Sequence, residues 1–218
     1  MNGSVGIIGG ADGPTAVFVS RPVGEAVLWA FGALLLALAA LMLLSRLTKK
    51  PAPFAVLGAA LTVLADQYVK LLLCSMEPGE TAALLPPLLR LESVRNYGAA
   101  WSSLSGERAL LIAVTAVGLA ALAYLAVRVV RHPLGVWSLW LVIGGGAGNL
   151  IDRVRLGYVR DMLATEFMDF PVFNVADIFV TCGTVAAAVY YLKYYEKYDA
   201  KNWGKPTDGA DRSDNGSP

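Results

Sequence analysis

Five long apolar runs divide this chain, and each has about the length of a helix that crosses a lipid bilayer. They occupy residues 26–45, 54–74, 109–130, 134–151 and 172–192. A spanning helix needs about 20 consecutive apolar residues. The pattern therefore predicts an all-α polytopic membrane protein, with five transmembrane helices joined by short polar segments.

Basic residues favour one of the two sides that these spans define. The segments on that side contain Arg46, Lys49, Lys50, Arg128, Arg131, Lys193, Lys197, Lys201 and Lys205. Cytoplasmic segments of membrane proteins are enriched in lysine and arginine. We therefore expect this side to be cytoplasmic, and the N-terminus and segments 75–108 and 153–171 to face outward. The basic residues of the first span follow its apolar run, which is not the pattern of a cleavable signal peptide.

Composition supports a membrane location and excludes several classes of function. Of the 218 residues, 56% are hydrophobic and only 16% are charged, whereas soluble domains usually contain about 25% charged residues. The net charge of +1 gives no sign of a nucleic-acid partner. The single His132 and the dispersed Cys74 and Cys182 cannot form a zinc site of the usual spacing. We therefore expect no metal or other cofactor, and neither a metalloprotease nor a Cys–His protease.

Polar residues lie inside the predicted spans, close to the ends that face outward. An ionisable side chain within a span costs at least ~2.5 kcal/mol on insertion scales, so it is a candidate functional residue. The candidates are Asp66 with Lys70, Asn149 with Asp152, Asn174 with Asp177, and Asp161 in the outward segment that follows the fourth span. Their convergence from three spans and a loop predicts an active site at the outer membrane surface.

Some of these residues also have structural interpretations. Asp66 and Lys70 are four residues apart and could form only an ion pair along one helix. Asp152 is expected to pair with Arg153 or another arginine, and so to stay ionised and structural. The asparagines could join helices or cap them; Asn174 in particular precedes an apolar helix and suits an N-cap.

Asp177 is harder to explain structurally, because no basic residue lies within ten positions of it on either side. Two facing carboxylates can share one proton, so that one acts as a base on water while the other donates a hydrogen bond to the scissile carbonyl. Asp161 could be the second carboxylate. This chemistry requires no metal, histidine or cysteine.

Five stretches resemble, in order, the motifs of lipoprotein signal peptidase, also called signal peptidase II. They are DQYVK at 66–70, NYGAAW at 96–101, GGGAGNLIDR at 144–153, GYVRD at 157–161 and FNVAD at 173–177. The resemblance extends from about residue 54 to residue 197. Because the five motifs occur in the expected order and at the expected places relative to the spans, the resemblance is specific.

This resemblance implies a four-helix membrane aspartyl peptidase with a small outward β-like cradle between its first two family helices. It implies diacylglyceryl-modified prolipoproteins as substrates, cut just before the lipobox cysteine, at the outer face of the bacterial cytoplasmic membrane. Carried over by motif, the catalytic pair is Asp161 and Asp177. The residues that support the pair or bind substrate are Asn149, Asp152, Arg153, Asn174, Asn96, Asp66 and Lys70. Membrane lipid is the other expected partner, and we expect a monomer.

Two features depart from the family pattern. Arg160 occupies the place of an apolar residue before the catalytic aspartate, and we expect this cation to lower the pKa of Asp161. The span at 26–45 is additional to the usual four. The chain is thus predicted to comprise an outward Gly-rich peptide (1–25), the extra helix (26–45), the peptidase-like domain (54–197) and a disordered cytoplasmic tail (198–218).

The N-terminal segment 4–18, SVGIIGGADGPTAVF, resembles a part of the β subunit of sodium-translocating decarboxylases. The resemblance covers about fifteen residues and lacks the remaining helices of that pump, so no ion transport follows from it. We expect a mobile peptide here.

Three other functions are alternatives to the aspartyl peptidase. A serine peptidase would use Ser102 or Ser103 with Lys70 as the base. A component for transport of ions or solutes would use the polar residues as a path through the membrane. A non-catalytic relative would bind lipoproteins without cutting them, although the presence of both aspartates argues against this.

Overall fold

The computed structural model describes residues 5–10, 13–19, 23–73, 76–98 and 107–200. Within these ranges, five helices are long and apolar enough to cross a membrane, so the predicted number of spans is confirmed. They are α1 (Val23–Thr48), α2 (Pro51–Leu72), α3 (Arg108–Arg128), α4 (Pro133–Arg155) and α5 (Val175–Tyr190). The last span continues through a π-helical turn (Tyr191–Tyr195) and the short α6 (Glu196–Tyr198). This chain is a multi-pass membrane protein.

Local sequence signals explain where the helices begin and end. Helices α2 and α4 begin at Pro51 and Pro133, a position where a missing backbone N–H costs nothing. Helix α5 begins after Asn174, whose side chain forms a capping box with Asp177. Soon after the end of α4, Gly157 adopts a φ of 86°, a conformation that favours glycine and ends the helix.

Helix α4 is the centre of the bundle and packs against α2, α3 and α5. Its glycine run permits close approach of the neighbouring backbones. A Cβ at Gly145 would lie 2.5 Å from the carbonyl oxygen of Ala176 in α5. A Cβ at Gly144 would lie 2.8 Å from the carbonyl oxygen of Ala59 in α2. The glycines therefore set the short distances between the helices that support the site.

The additional helix α1 is part of this bundle. It packs along α2, and its Phe31 ring lies 6.5 Å from the ring of Phe179 in α5. The indole nitrogen of Trp137 in α4 donates a hydrogen bond to the hydroxyl of Ser45 in α1, at 3.2 Å. Contacts with three helices make α1 an integral layer of the fold.

A small antiparallel sheet lies at one end of the bundle, with the strand order β3 (Thr81–Leu85), β4 (Leu89–Asn96) and β5 (Val159–Thr165). The predicted cradle is confirmed, but its composition differs from the prediction. We expected the cradle to come from the segment between α2 and α3, whereas β5 lies between α4 and α5. Strand β5 places Asp161 opposite Val94 of β4, so the sheet carries one of the candidate catalytic residues.

The N-terminal segment contains a β-hairpin that the sequence analysis does not predict. Strands β1 (Val5–Gly10) and β2 (Gly13–Val19) form an antiparallel hairpin in which Val5 pairs with Val19 and Ile7 with Val17. β-Branched residues favour strands, and this preference outweighs the glycines between them. The resemblance of this segment to the decarboxylase remains an observation on the sequence alone.

The ordered C-terminal part extends beyond residue 197. Asp199 is buried and accepts hydrogen bonds from the backbone N–H groups of Arg131 and His132 at 3.0 and 3.1 Å. It also accepts a hydrogen bond from the hydroxyl of Tyr190 at 2.6 Å. These contacts attach the end of α6 to the loop between α3 and α4. The rest of the predicted disordered tail, residues 201–218, lies outside the described residues.

Candidate active site

Asp161 lies on β5 with its side chain directed into the protein, and only 4% of the residue is exposed. The side-chain amide of Asn96, at the end of β4, donates to one carboxylate oxygen at 3.0 Å. The side-chain amide of Asn174 donates to the other oxygen at 2.6 Å. A β-bridge between Leu163 and Phe173 brings Asn174 beside the strand, which explains this contact.

Asp177 lies in the first turn of α5. One of its carboxylate oxygens accepts a hydrogen bond from the side-chain amide of Asn149 at 2.7 Å. The other accepts from the backbone N–H of Asn174 at 3.1 Å, as part of the capping box. Both oxygens of Asp177 are therefore held by hydrogen bonds at the start of α5.

Asn174 connects the two carboxylates. Its side-chain amide donates to Asp161 and also, at 3.0 Å, to the side-chain oxygen of Asn149. Its own side-chain oxygen accepts from the backbone N–H of Asp177 at 3.0 Å. The expected N-cap is therefore present, and the same side chain also joins Asp161, Asp177 and Asn149 into one hydrogen-bonded group.

Asp161 and Asp177 line the same cavity, which has a volume of about 490 Å³. The segment before α5 and the exposed side of α5 supply the apolar part of its wall, which includes Phe170, Pro171, Val172, Phe173, Ile178 and Val180. Arg153 also lines it and donates to the carbonyl oxygen of Gly98 at 2.9 Å. The site thus places two carboxylates at the polar end of a largely apolar cavity.

The environment of Asp161 raises its pKa to about 6. Burial is the main cause, and the nearby charge of Asp177 adds to it, while the hydrogen bonds from Asn96 and Asn174 oppose the shift. A cation beside Asp161 in the sequence could have lowered this pKa, but the pKa is raised. Arg160 is adjacent in sequence, but its guanidinium group binds Asp152 instead, because successive residues of a strand point to opposite faces.

Asp152 is buried and is held by Arg160. The backbone N–H and the side-chain Nε of Arg160 donate to one oxygen of Asp152 at 3.1 and 3.2 Å, and an Nη donates to the other at 2.8 Å. The predicted pairing of Asp152 with an arginine is therefore present. The partner is Arg160 and not the adjacent Arg153, whose side chain turns towards the cavity.

Lys70 lies between two buried carboxylates. Its ammonium nitrogen is 2.8 Å from Asp66 and 3.4 Å from Asp152. It also donates to the side-chain oxygen of Asn149 at 3.1 Å. The ion pair expected along α2 is therefore present. In addition, Lys70 connects Asp66 and Asp152 to Asp177, because Asn149 binds both Lys70 and Asp177.

Asp66 reaches across to the start of α5. Its second oxygen accepts a hydrogen bond from the backbone N–H of Ala176 at 3.0 Å, so α2 supplies a cap for α5. A Cβ at Gly148 would lie 2.6 Å from the Asp66 carboxylate. Glycine at this position therefore leaves room for Asp66 to reach the helix terminus.

The site residues predicted from the sequence come together as one connected set, which comprises Asp161, Asp177, Asn149, Asp152, Arg153, Asn174, Asn96, Asp66 and Lys70. Sequence reasoning did not select Gln67, although its side-chain amide contacts Asp66, Asp152 and the carbonyl of Gly148. The sequence signal that could have identified Gln67 is its polarity, because it lies beside Asp66 inside an apolar run. Ser102 and Ser103 lie outside the described residues, and the two carboxylates around Lys70 oppose its use as a base.

The fold and the site define a multi-pass membrane protein with a cluster of carboxylates and amides at one end of its helix bundle. The chain belongs to the signal peptidase II family, because the family model for signal peptidase (SPase) II matches residues 58–193. Membership of this family makes it a peptidase.

Individual relatives agree with this assignment. The lipoprotein signal peptidase of Enterococcus faecalis is 40% identical over 138 residues, which cover 62% of this chain and 84% of that protein. The lipoprotein signal peptidase of Lactococcus lactis subsp. cremoris is 38% identical over 131 residues, covering 60% and 87%. A solved bacterial membrane enzyme superposes with a TM-score of 0.63 and 32% identity, over 67% of this chain and 92% of that one.

Proposed function

We propose that this protein removes signal peptides from diacylglyceryl-modified prolipoproteins, cutting before the lipobox cysteine, with Asp161 and Asp177 as an aspartyl catalytic pair. The observation that carries the proposal is the shared hydrogen-bonded group of these two carboxylates at the polar end of an apolar cavity. The lipoprotein signal peptidases to which the chain is similar support the substrate class.

In this mechanism the two carboxylates carry one proton between them. Asp177, at the helix N-terminus, acts as the base and takes a proton from water, whose oxygen then bonds to the scissile carbonyl carbon. Asp161, which retains its proton more readily, donates a hydrogen bond to the carbonyl oxygen. The carbon–nitrogen bond then breaks, the departing amine takes up a proton, and the other product is a carboxylic acid.

The three asparagines position the catalytic pair. Asn96 and Asn174 together occupy one lone pair on each oxygen of Asp161, and Asn149 holds Asp177. Lys70 donates to the oxygen of Asn149, which fixes the amide so that its NH₂ faces Asp177. Held in this way, both carboxylates direct their remaining lone pairs to the cavity.

The apolar cavity suits the substrate. A prolipoprotein presents an apolar signal helix and, at the cleavage site, acyl chains attached to cysteine. The cavity wall from Phe170 to Phe173 and along α5 is mostly apolar, so it can bury such groups. Arg153, at the polar end, is placed to contact the substrate backbone.

A transport function is not favoured. The polar network lies where α2 and α4 end and α5 begins, so it occupies one end of the bundle, whereas a transport path would run along it. Both carboxylates line the cavity, which favours a catalytic protein over a binding relative without activity.

We place the site at the outer face of the membrane, because Arg46, Lys49 and Lys50 mark the opposite ends of α1 and α2 as cytoplasmic. A cysteine introduced at Lys49, in a chain whose Cys74 and Cys182 are replaced by alanine, should resist a membrane-impermeant thiol reagent in intact cells. It should react after the cells are permeabilised. Labelling of intact cells would reverse the topology and put the site on the cytoplasmic side.

The pH dependence of cleavage should report on Asp161. Since its proton is needed and its pKa is raised to about 6, kcat/KM should fall as the pH rises above about 6. The hydrogen bond from Asn96 lowers this pKa, so Asn96→Ala should move the fall to higher pH. The measurement is a kcat/KM profile of both enzymes. A shift to lower pH would contradict the role of Asp161 as the proton carrier.

A further inference from the structure

A second cavity adjoins Asp161. It has a volume of about 190 Å³ and lies between the end of α2, the strand pair β4–β5 and the end of α4. Asp161 lines both this cavity and the larger apolar one. Asp161 therefore borders two cavities, of which the smaller contains more cationic side chains in its wall, those of Lys70, Arg95 and Arg160.

The smaller cavity runs from the protein surface to the buried carboxylate. Arg95 and Leu156 at its rim are exposed, Ser93 and Arg160 are half-buried, and Lys70 and Asp161 are buried. The hydroxyl of Ser93 and the guanidinium groups of Arg95 and Arg160 along this wall provide hydrogen-bonding partners for ordered water. At about 30 Å³ for each molecule, the cavity has room for several waters.

A β-bulge shapes this cavity. Leu91 pairs with Leu163 and Val94 with Asp161, so three steps along β4 match two along β5. The extra residue, Ser93, exchanges backbone hydrogen bonds with Gly79 and Glu80 on the other side of β4. The backbone N–H of Met162 on β5 likewise donates to Phe173. The ladder between β4 and β5 is thus interrupted beside Asp161, and bulges of this kind commonly adjoin active sites.

Hydrolysis consumes one water for each bond cut, and the substrate side of this site is apolar. A signal helix with attached acyl chains would fill the larger cavity and exclude water from it. We propose that the smaller cavity, from Arg95 and Ser93 to Asp161, is the inlet through which water passes Asp161 and reaches Asp177, which lines the larger cavity with it, while substrate is bound. This inference rests on the proposed aspartyl mechanism.

The test fills the inlet reversibly. Ser93→Cys is made in a background in which Cys74 and Cys182 are alanine, because Cys182 is an exposed thiol on the larger cavity. The purified enzyme is then treated with methyl, ethyl or benzyl methanethiosulfonate and assayed before and after reduction. The control is Glu80→Cys, because Glu80 is exposed and does not line the cavity. It shows whether a benzyl adduct near the sheet but outside the cavity affects the rate.

The inference predicts that kcat falls with the volume of the adduct, at least tenfold for benzyl and less than twofold for methyl. KM should change less than twofold, the pH at which kcat/KM falls should not move, and reduction should restore the rate. The Glu80→Cys adduct should leave kcat unchanged. These values are relative to the unmodified Ser93→Cys enzyme.

Three results would overturn the inlet. They are an unchanged kcat with the benzyl adduct, a raised KM at constant kcat, and a shifted pH profile, which would mean that the adduct disturbs Asp161 itself. Asp161→Asn is assayed in parallel. If it is inactive while the benzyl adduct has no effect, the inlet is wrong and the catalytic pair stands. If it is active, the proposed catalytic pair is wrong, whatever the adduct does.

Discussion

Replacing either Asp161 or Asp177 with asparagine should abolish cleavage of a lipid-modified prolipoprotein while leaving the protein folded in the membrane. Asparagine is nearly isosteric with aspartate, so packing and most of the hydrogen bonds around the site should survive. The base or the shared proton is lost, and such proton-transfer groups commonly contribute 10²–10⁴-fold to the rate. We therefore expect kcat to fall by roughly a thousand-fold or more in each variant.

The double variant should be about as inactive as either single one, because residues that act as one unit fail together. Asp169→Asn is a matched control: Asp169 is an exposed carboxylate on the same segment between α4 and α5 as Asp161, and its replacement should leave the rate unchanged. Cleavage is measured with equal amounts of purified protein. Substantial turnover by Asp161→Asn would show that Asp177 has a different partner.

Asp152→Asn should produce the largest loss of stability. Asp152 is fully buried between Lys70 and Arg160. Removing its charge leaves Arg160 without its carboxylate partner and leaves Asp66 as the remaining counter-charge of Lys70. Breaking a buried ion pair from one side costs about 3–5 kcal/mol. For a chain of this length, that loss corresponds to a fall in Tm on the order of 10 °C, measured by thermal unfolding in detergent.

Glu92→Gln is the control for this prediction, because it breaks an ion pair with Arg90 whose side chains are 38% and 24% exposed. Pairs of that kind contribute about 0–1 kcal/mol, so the Tm should change little. Equal effects of the two substitutions would mean that the buried network contributes no more than a surface pair. The fraction of Asp152→Asn protein that folds should retain cleavage activity, whereas Asp161→Asn and Asp177→Asn should fold but not cleave.

The spans and much of the site follow from the sequence because both depend on short-range patterns. An apolar run of bilayer length has few alternatives to a helix, since no water is available to bind an unpaired backbone. Pairs such as Asn149 with Asp152, or Asn174 with Asp177, share a helix face at three-residue spacing. Their polarity inside a span therefore identified the end of the bundle at which they meet.

Long-range pairings were not predictable in this way. The sequence places Arg153 next to Asp152 and Arg160 next to Asp161, and it could not decide which arginine binds Asp152. The pairing of β5 with β4 turns Arg160 away from Asp161 and towards Asp152. Strand β5 itself is only seven residues long, and its partner strand lies far away along the chain.

The N-terminal hairpin was missed for a related reason. Its glycines suggested a mobile peptide, but the valines and isoleucines between them pair across the two strands. Gln67 was overlooked because one polar residue next to another adds no new periodicity. Its contacts with Gly148 and Asp152 depend on how closely α2 packs against α4, and the glycine at 148 permits that close approach.

The most direct test of the central proposal is a cleavage assay with the purified protein and a single prolipoprotein in two forms, with and without diacylglycerol on the lipobox cysteine. The assay is run in EDTA, and the product is identified by mass spectrometry. We expect cleavage of the modified form immediately before the cysteine, at an undiminished rate, because the chain contains only one histidine and two cysteines from which to build a zinc site. The proposed aspartyl peptidase would be contradicted if EDTA stopped turnover and added zinc restored it. It would also be contradicted if the modified precursor were not cleaved.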